Sequence, residues 1–146
     1  MVGLAGCYPG NVVIVGCGRL GSILANELSR VGSRVVVIDR NSTSFALLDA
    51  GFSGFRVTGN AVDLDVMREA NLNQTDYLLT TTEKDTVNLM VAQVAKVVFA
   101  VPHVLARVYD PKREVLYRTF GIETISPTSL TAHEFLRFVC REGGAS

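Results

Sequence analysis

Short runs rich in valine, isoleucine and leucine recur along the chain, and between them apolar residues return at helical spacing. The runs from Asn11 to Val15, Arg34 to Ile38, Tyr77 to Thr80 and Val104 to Val108 predict strands, and two weaker runs, Phe55 to Thr58 and Ile122 to Ile125, bring the number to six. Helical period follows each of them, over Arg19 to Val31, Thr43 to Ala50, Leu64 to Ala70, Lys84 to Val98, Lys112 to Phe120 and Ser129 to Cys140. Gly32, Gly51 and Gly121 stand where three of these helices should end, and Pro111 and Pro127 fall just before two helix starts. Regular alternation of strand and helix implies an α/β fold. Because crossovers between parallel strands are right-handed, the simplest topology is a doubly wound, six-stranded parallel sheet of order 3-2-1-4-5-6 with helices on both faces. The fold uses residues 1–140 as a single domain, leaves no second domain in this chain, and predicts a frayed tail at 141–146.

Composition agrees with a sheet covered on both sides: 48% of residues are hydrophobic and 19% charged. The longest apolar stretches, such as Val97 to Val101, fall far short of the roughly 20 residues that cross a bilayer, and no basic-then-apolar leader opens the chain, so a cytoplasmic location without membrane insertion is expected. Fourteen basic and fourteen acidic side chains cancel and are scattered, which excludes the positive field that nucleic acid or an anionic lipid surface requires. Cys7, Cys17 and Cys140 are odd in number and lack CxxC spacing, which argues against a disulfide framework and a zinc site.

Candidate chemistry concentrates in "VVIVGCGRLGSIL", residues 12–24. The GxGxxG pattern of Gly16, Gly18 and Gly21 follows an apolar strand and opens a helix, and Asp39 ends the next apolar strand, 18 residues past Gly21. Gly16 suits the tight turn, Gly18 lets backbone amides approach a pyrophosphate, and Gly21 lets the helix pack close to the sheet. The helix N-terminus offers unpaired N–H groups to the phosphates. Asp39 is placed to accept hydrogen bonds from both ribose hydroxyls of an adenosine and to repel a 2′-phosphate, which favours NAD or an adenine nucleotide over NADP. Arg19 could reach a terminal phosphate, and Arg40 either stacks on adenine, meets a phosphate or is solvated. Cys17, the variable position of the motif, should point into packing.

Downstream, "VTGNAVDLDVMREANLNQTDYLLTTTEKDTVNLMVAQVA" (57–95), "VLARVYDP" (104–111) and "FGIETISP" (120–127) occur in order and spacing. With the glycine motif they resemble the N-terminal nucleotide-binding domain of the regulators of potassium conductance, the cytoplasmic subunits and gating domains of Trk- and Ktr-type potassium uptake systems. The resemblance implies a Rossmann-like domain that binds NAD(H), ATP or ADP without transforming it. It implies a homodimer or larger homo-oligomer whose rearrangement gates a potassium-transporting membrane subunit, with the chain peripheral at the inner face of the membrane. It puts Gly16, Cys17, Gly18, Arg19, Leu20 and Gly21 at the phosphates and Asp39 with Arg40 at the adenosine. Gly59, Asn60 and Ala61 match a Gly-Asp-Ala stretch at the adenine edge, with asparagine in place of aspartate. Thr80, Thr81 and Thr82 would line the second half of the nucleotide, Asp85 and Asn88 match the start of the next helix, and Arg107 matches the arginine of an "ARV" stretch. Read by its own chemistry, Asp85 favours the role of a first-turn acid over a ligand contact, Thr82 could equally cap that helix or meet the ligand, and Asn88 favours a ligand or subunit contact. The final helix, with Leu130, Phe135, Leu136, Phe138 and Val139, should mostly pack in the core, although in the resembling family it commonly reaches a neighbouring subunit.

The acid–base equipment of an enzyme is not evident. His103 precedes the fifth strand at the wrong end of the sheet and His133 lies in the last helix; Tyr109 and Lys112 miss the spacing of short-chain reductases, and no GxxxxGK[ST] loop occurs. A nucleotide sensor is therefore the first reading. The alternative is a small NAD-dependent oxidoreductase whose substrate site another chain completes.

Overall fold

In a computed structural model, which describes residues 3–4 and 6–143, the strands are β1 (Asn11–Val15), β2 (Arg34–Asp39), β3 (Phe55–Thr58), β4 (Tyr77–Thr80), β5 (His103–Arg107) and β6 (Glu123–Ile125). They form one parallel sheet in the order β3-β2-β1-β4-β5-β6, the doubly wound order that the sequence predicts. Val13 pairs with Val36 of β2 and Leu78 of β4, which sets β1 at the centre. The helices are α1 (Arg19–Arg30), α2 (Leu64–Glu69), α3 (Asp85–Val97), α4 (Glu114–Thr119) and α5 (Pro127–Gly143).

The period of two along β1 divides the core. Val13 and Val15 face one layer with Met67 of α2, Val91 and Ala95 of α3, and Tyr117 of α4. Val12 and Ile14 face the other with Ala25 of α1, Val37, Leu48 and Phe52. Both faces of β1 are thereby dry, and each fully buried valine or isoleucine contributes about 1.5–3 kcal/mol.

Three predicted helices differ. Thr43 to Ala50 is a 3-10 turn, Ser42–Leu47, because the Asn41 side chain accepts from the backbone N–H and the hydroxyl of Thr43 and diverts the polar "NSTS" run from helical bonding. The segment from Lys112 starts as a 3-10 turn, Pro111–Arg113, capped by Asp110, before α4 begins at Glu114. The last helix begins at Pro127 and continues through Arg141–Gly143, part of the stretch expected to fray; residues 144–146 of that stretch lie outside the described residues.

The expectation that α5 packs in the core is corrected. Every described side chain from Thr128 onward is exposed, and the large apolar ones range from 54% of full accessibility at Leu130 to 71% at Phe135. Register places Tyr77, Leu79, His103, Leu105, Arg107 and Ile125 on one sheet face, the face α1 covers further along, and α5 makes no substantial contact with it. Composition marks these residues as apolar but not what covers them.

Candidate functional site

The C-terminal ends of the strands surround a cleft of about 870 Å³, within the range of small-molecule sites. It lies where the sheet order reverses between β1 and β4, as expected of an open α/β sheet. The glycine turn forms its floor. Gly16 has φ +101, a conformation that suits glycine, and its N–H donates to the Ile38 carbonyl at 2.8 Å. An added Cβ at Gly18 would meet nothing within 4 Å, so the space above it is open to the cleft. At Gly21 a Cβ would stand 1.8 Å from the Gly16 carbonyl oxygen, which is how closely α1 approaches the turn. No side chain caps α1, whose N-cap is Gly18. Its first N–H groups are left to a ligand or to water.

Asp39, at the end of β2, is fixed by two backbone donors: Cys17 N–H to one carboxylate oxygen and Asn41 N–H to the other, each at 2.8 Å. A carboxylate has about four acceptor positions, so two remain for vicinal hydroxyls. Arg19, Arg40, Lys84 and Arg107 also line the cleft, against the carboxylates of Asp39 and Glu83. Four cations beside two anions and an uncapped helix start suit a phosphate-bearing ligand.

Of the residues singled out from the sequence, Gly16, Gly18, Arg19, Leu20, Asp39, Arg40, Gly59, Asn60, Ala61, Thr81, Thr82 and Arg107 line this one cleft. Five do not. Gly21 is beneath the turn. Cys17 is fully buried, and burial first, then the Asp39 charge, push its thiol up from the ordinary value, so it stays protonated at neutral pH. Thr80 faces the core, and its buried hydroxyl has no partner among the described residues.

Asp85 and Asn88 take structural posts instead. The Asp85 carboxylate accepts from the N–H groups of Tyr109 and Asp110 at 2.7 and 3.2 Å and clamps the turn after β5 onto the start of α3. Asn88 is fully buried: its Oδ1 accepts from the N–H and hydroxyl of Thr82, and its Nδ2 donates to the carbonyls of Thr82 and Arg107. These four bonds exhaust its capacity, which replaces the ligand or subunit contact expected of its side chain. Thr82 is thus held by Asn88 and does not serve as the N-cap, which is Lys84. Thr81, buried, points its hydroxyl at the carbonyls of Val15 and Gly16 and ties β4 to the glycine turn. Neither histidine approaches the cleft: His103 stacks on Tyr77, ring centroids 4.5 Å apart, at the opposite end of the sheet, and His133 is on exposed α5.

Sequence reasoning missed Ser44, Leu47, Glu83, Lys84, Val87 and Tyr109 as cleft residues. Lys84 and Tyr109 follow β4 and β5, where the topological rule for open sheets could have found them. Ser44 and Leu47 were hidden by the helix expected over them. Among the described residues, no group of three histidine, cysteine, aspartate or glutamate side chains could hold a metal ion, and no helix is long and apolar enough to cross a membrane.

The TrkA-N domain family matches residues 12–127. Among curated proteins, the Trk system potassium uptake protein TrkA of Streptomyces coelicolor is 41% identical over 133 residues, 91% of this chain. The chain spans about 60% of that relative's length. The fold is shared with an AMP-bound C-terminal domain of Kef from Shewanella denitrificans (TM-score 0.80, 20% identity, covering 94% of this chain and 84% of that one). It is shared also with the GsuK channel bound to NAD (TM-score 0.77, 20% identity, covering 93% of this chain and 24% of that one). The glycine turn, the fixed acid at the end of β2 and a match running from β1 to the start of α5 together place the chain in the TrkA-N domain family.

Proposed function

We propose that the cleft binds an adenine nucleotide, NAD(H) or ATP/ADP, without transforming it, and that the chain is a cytoplasmic nucleotide-sensing part of a potassium uptake system. The observation that carries this reading is the arrangement of Asp39 and the uncapped α1 start. One fixed carboxylate is offered to a ribose and four cations to phosphates within one cleft. The AMP and NAD held by the two fold neighbours support the ligand class, and the relative's name supports the potassium system. The positions of His103 and His133 away from the cleft, and the protonated Cys17 thiol, favour sensing over chemistry.

Thermal melts with NAD, NADH, ATP and ADP test the reading. A ligand at a hundred times its Kd adds about 2.7 kcal/mol, a rise of roughly 5–10 °C for a domain of this size. No shift with any of the four overturns it. Steady hydride transfer from NADH to a panel of carbonyl compounds would instead establish the oxidoreductase reading, with a substrate site completed by another chain.

The signal then passes through assembly into a homodimer or larger homo-oligomer and on to a potassium-transporting membrane subunit, with the chain peripheral at the inner face of the membrane. Support comes from α5, whose Leu130, Phe135, Leu136, Phe138 and Val139 lie uncovered. Phe135→Asp combined with Phe138→Asp is expected to lower the mass in solution to that of one chain while the nucleotide-induced melting shift persists. Retention of the larger mass removes α5 from the interface.

A further inference from the structure

Among the described residues, Arg107 is the one cleft cation held in place by other cleft groups. Its Nη2 donates to the Tyr109 hydroxyl at 2.8 Å, its guanidinium carbon lies 4.4 Å from the centroid of the Tyr109 ring, and its Nη1 donates to the Thr81 carbonyl at 3.3 Å. Its Nε is buried and has no partner among the described residues. The guanidinium is therefore retained with one of its donors unsatisfied, an arrangement disfavoured relative to any in which that donor is bonded. Tyr109 itself is anchored through its backbone: Asp85 accepts from its N–H, and the hydroxyl of Thr128, at the foot of α5, reaches its carbonyl at 3.4 Å. Tyr109 is 43% exposed, and among the described residues its hydroxyl meets only Arg107.

Resting on the reading that the cleft takes an adenine ligand, we propose that Tyr109 is a latch on Arg107 that sets how strongly the site discriminates adenine ligands by their phosphate charge. A phosphate oxygen is a stronger acceptor than a neutral phenol and draws the guanidinium off Tyr109. A ligand with more phosphate charge meets this exchange more fully than one with a single phosphate. While latched, Arg107 gives up part of its interaction energy with the ligand to Tyr109, so the latch lowers affinity for the phosphate-rich ligand most.

The test compares AMP, ADP and ATP by calorimetric titration of the 146-residue chain and its variants. Tyr109→Phe keeps the ring and removes the hydroxyl acceptor. It is expected to raise the ATP-to-AMP affinity ratio about five-fold, the worth of one ordinary hydrogen bond. In an Arg107→Gln background the same substitution should leave the ratio unchanged. The latch is overturned if Tyr109→Phe leaves the ratio alone, if it shifts all three ligands equally, or if its effect survives in Arg107→Gln. If none of the three binds the unsubstituted chain the latch is overturned, and the nucleotide reading falls with it only where NAD and NADH also leave the melting temperature unchanged. Melting temperatures of the variants separate these outcomes from loss of fold.

Discussion

Gly21→Ala is expected to destabilise the chain by about 3 kcal/mol, lowering its melting temperature by roughly 6–12 °C. Alanine is the better helix former by about 1 kcal/mol, so propensity alone would predict a gain. Steric contact decides the sign. The new methyl would stand 1.8 Å from the Gly16 carbonyl oxygen and 2.9 Å from the Thr81 hydroxyl, and since the first of these is backbone no rotamer change relieves it. Helix α1 must move off the turn, and the cleft floor moves with it. Gly18→Ala, at the middle glycine of the same motif, is the control: a Cβ there meets nothing within 4 Å, so the fold should hold. What that methyl occupies is the open space above the turn, and nucleotide affinity should fall at least about tenfold, which is about 1.4 kcal/mol. Melts and titrations of the two variants check both halves, and equal destabilisation by the two would overturn the division of labour between these glycines.

Asp39→Ala carries the largest expected effect on binding. Two hydrogen bonds from ribose hydroxyls to a carboxylate are worth about 1.5 kcal/mol each at the lower end, so affinity for any adenosine ligand should drop about a hundredfold. The substitution also removes the acceptor of the Cys17 N–H, whose residue is fully buried, and should cost about 1–2 kcal/mol of stability. Asp39→Asn, which retains one acceptor oxygen, should fall between. Calorimetric titration with ATP and NAD measures the first effect and denaturant unfolding the second. Unchanged affinity would place the adenosine elsewhere.

Strand positions and sheet order were legible because buried parallel strands require short β-branched runs, and segments of helical period separate those runs along the chain. The glycine turn with Asp39 was legible because its chemistry depends on spacing within one strand–helix–strand unit. Asp85 and Asn88 were not, since a polar residue at a helix start looks alike whether it faces a ligand or a loop. Only the fold brings the turn after β5, more than twenty residues away, over Asp85. The polar segment after Asn41 could not show that its own side chains would outcompete helical bonding. Nor could the apolar residues of α5 reveal that this chain leaves them uncovered.

The Thr81 hydroxyl reaches across 66 residues of sequence to the carbonyl of Val15. The turn from β1 and the threonines after β4 meet only when that long loop has closed, one of the costlier steps in ordering a chain. A nucleotide that needs both sides of the cleft thus finds no site until the two halves of the sheet have joined. If the halves join after the folding barrier, a bound nucleotide slows unfolding and leaves the refolding rate almost untouched, which stopped-flow refolding with and without ATP checks.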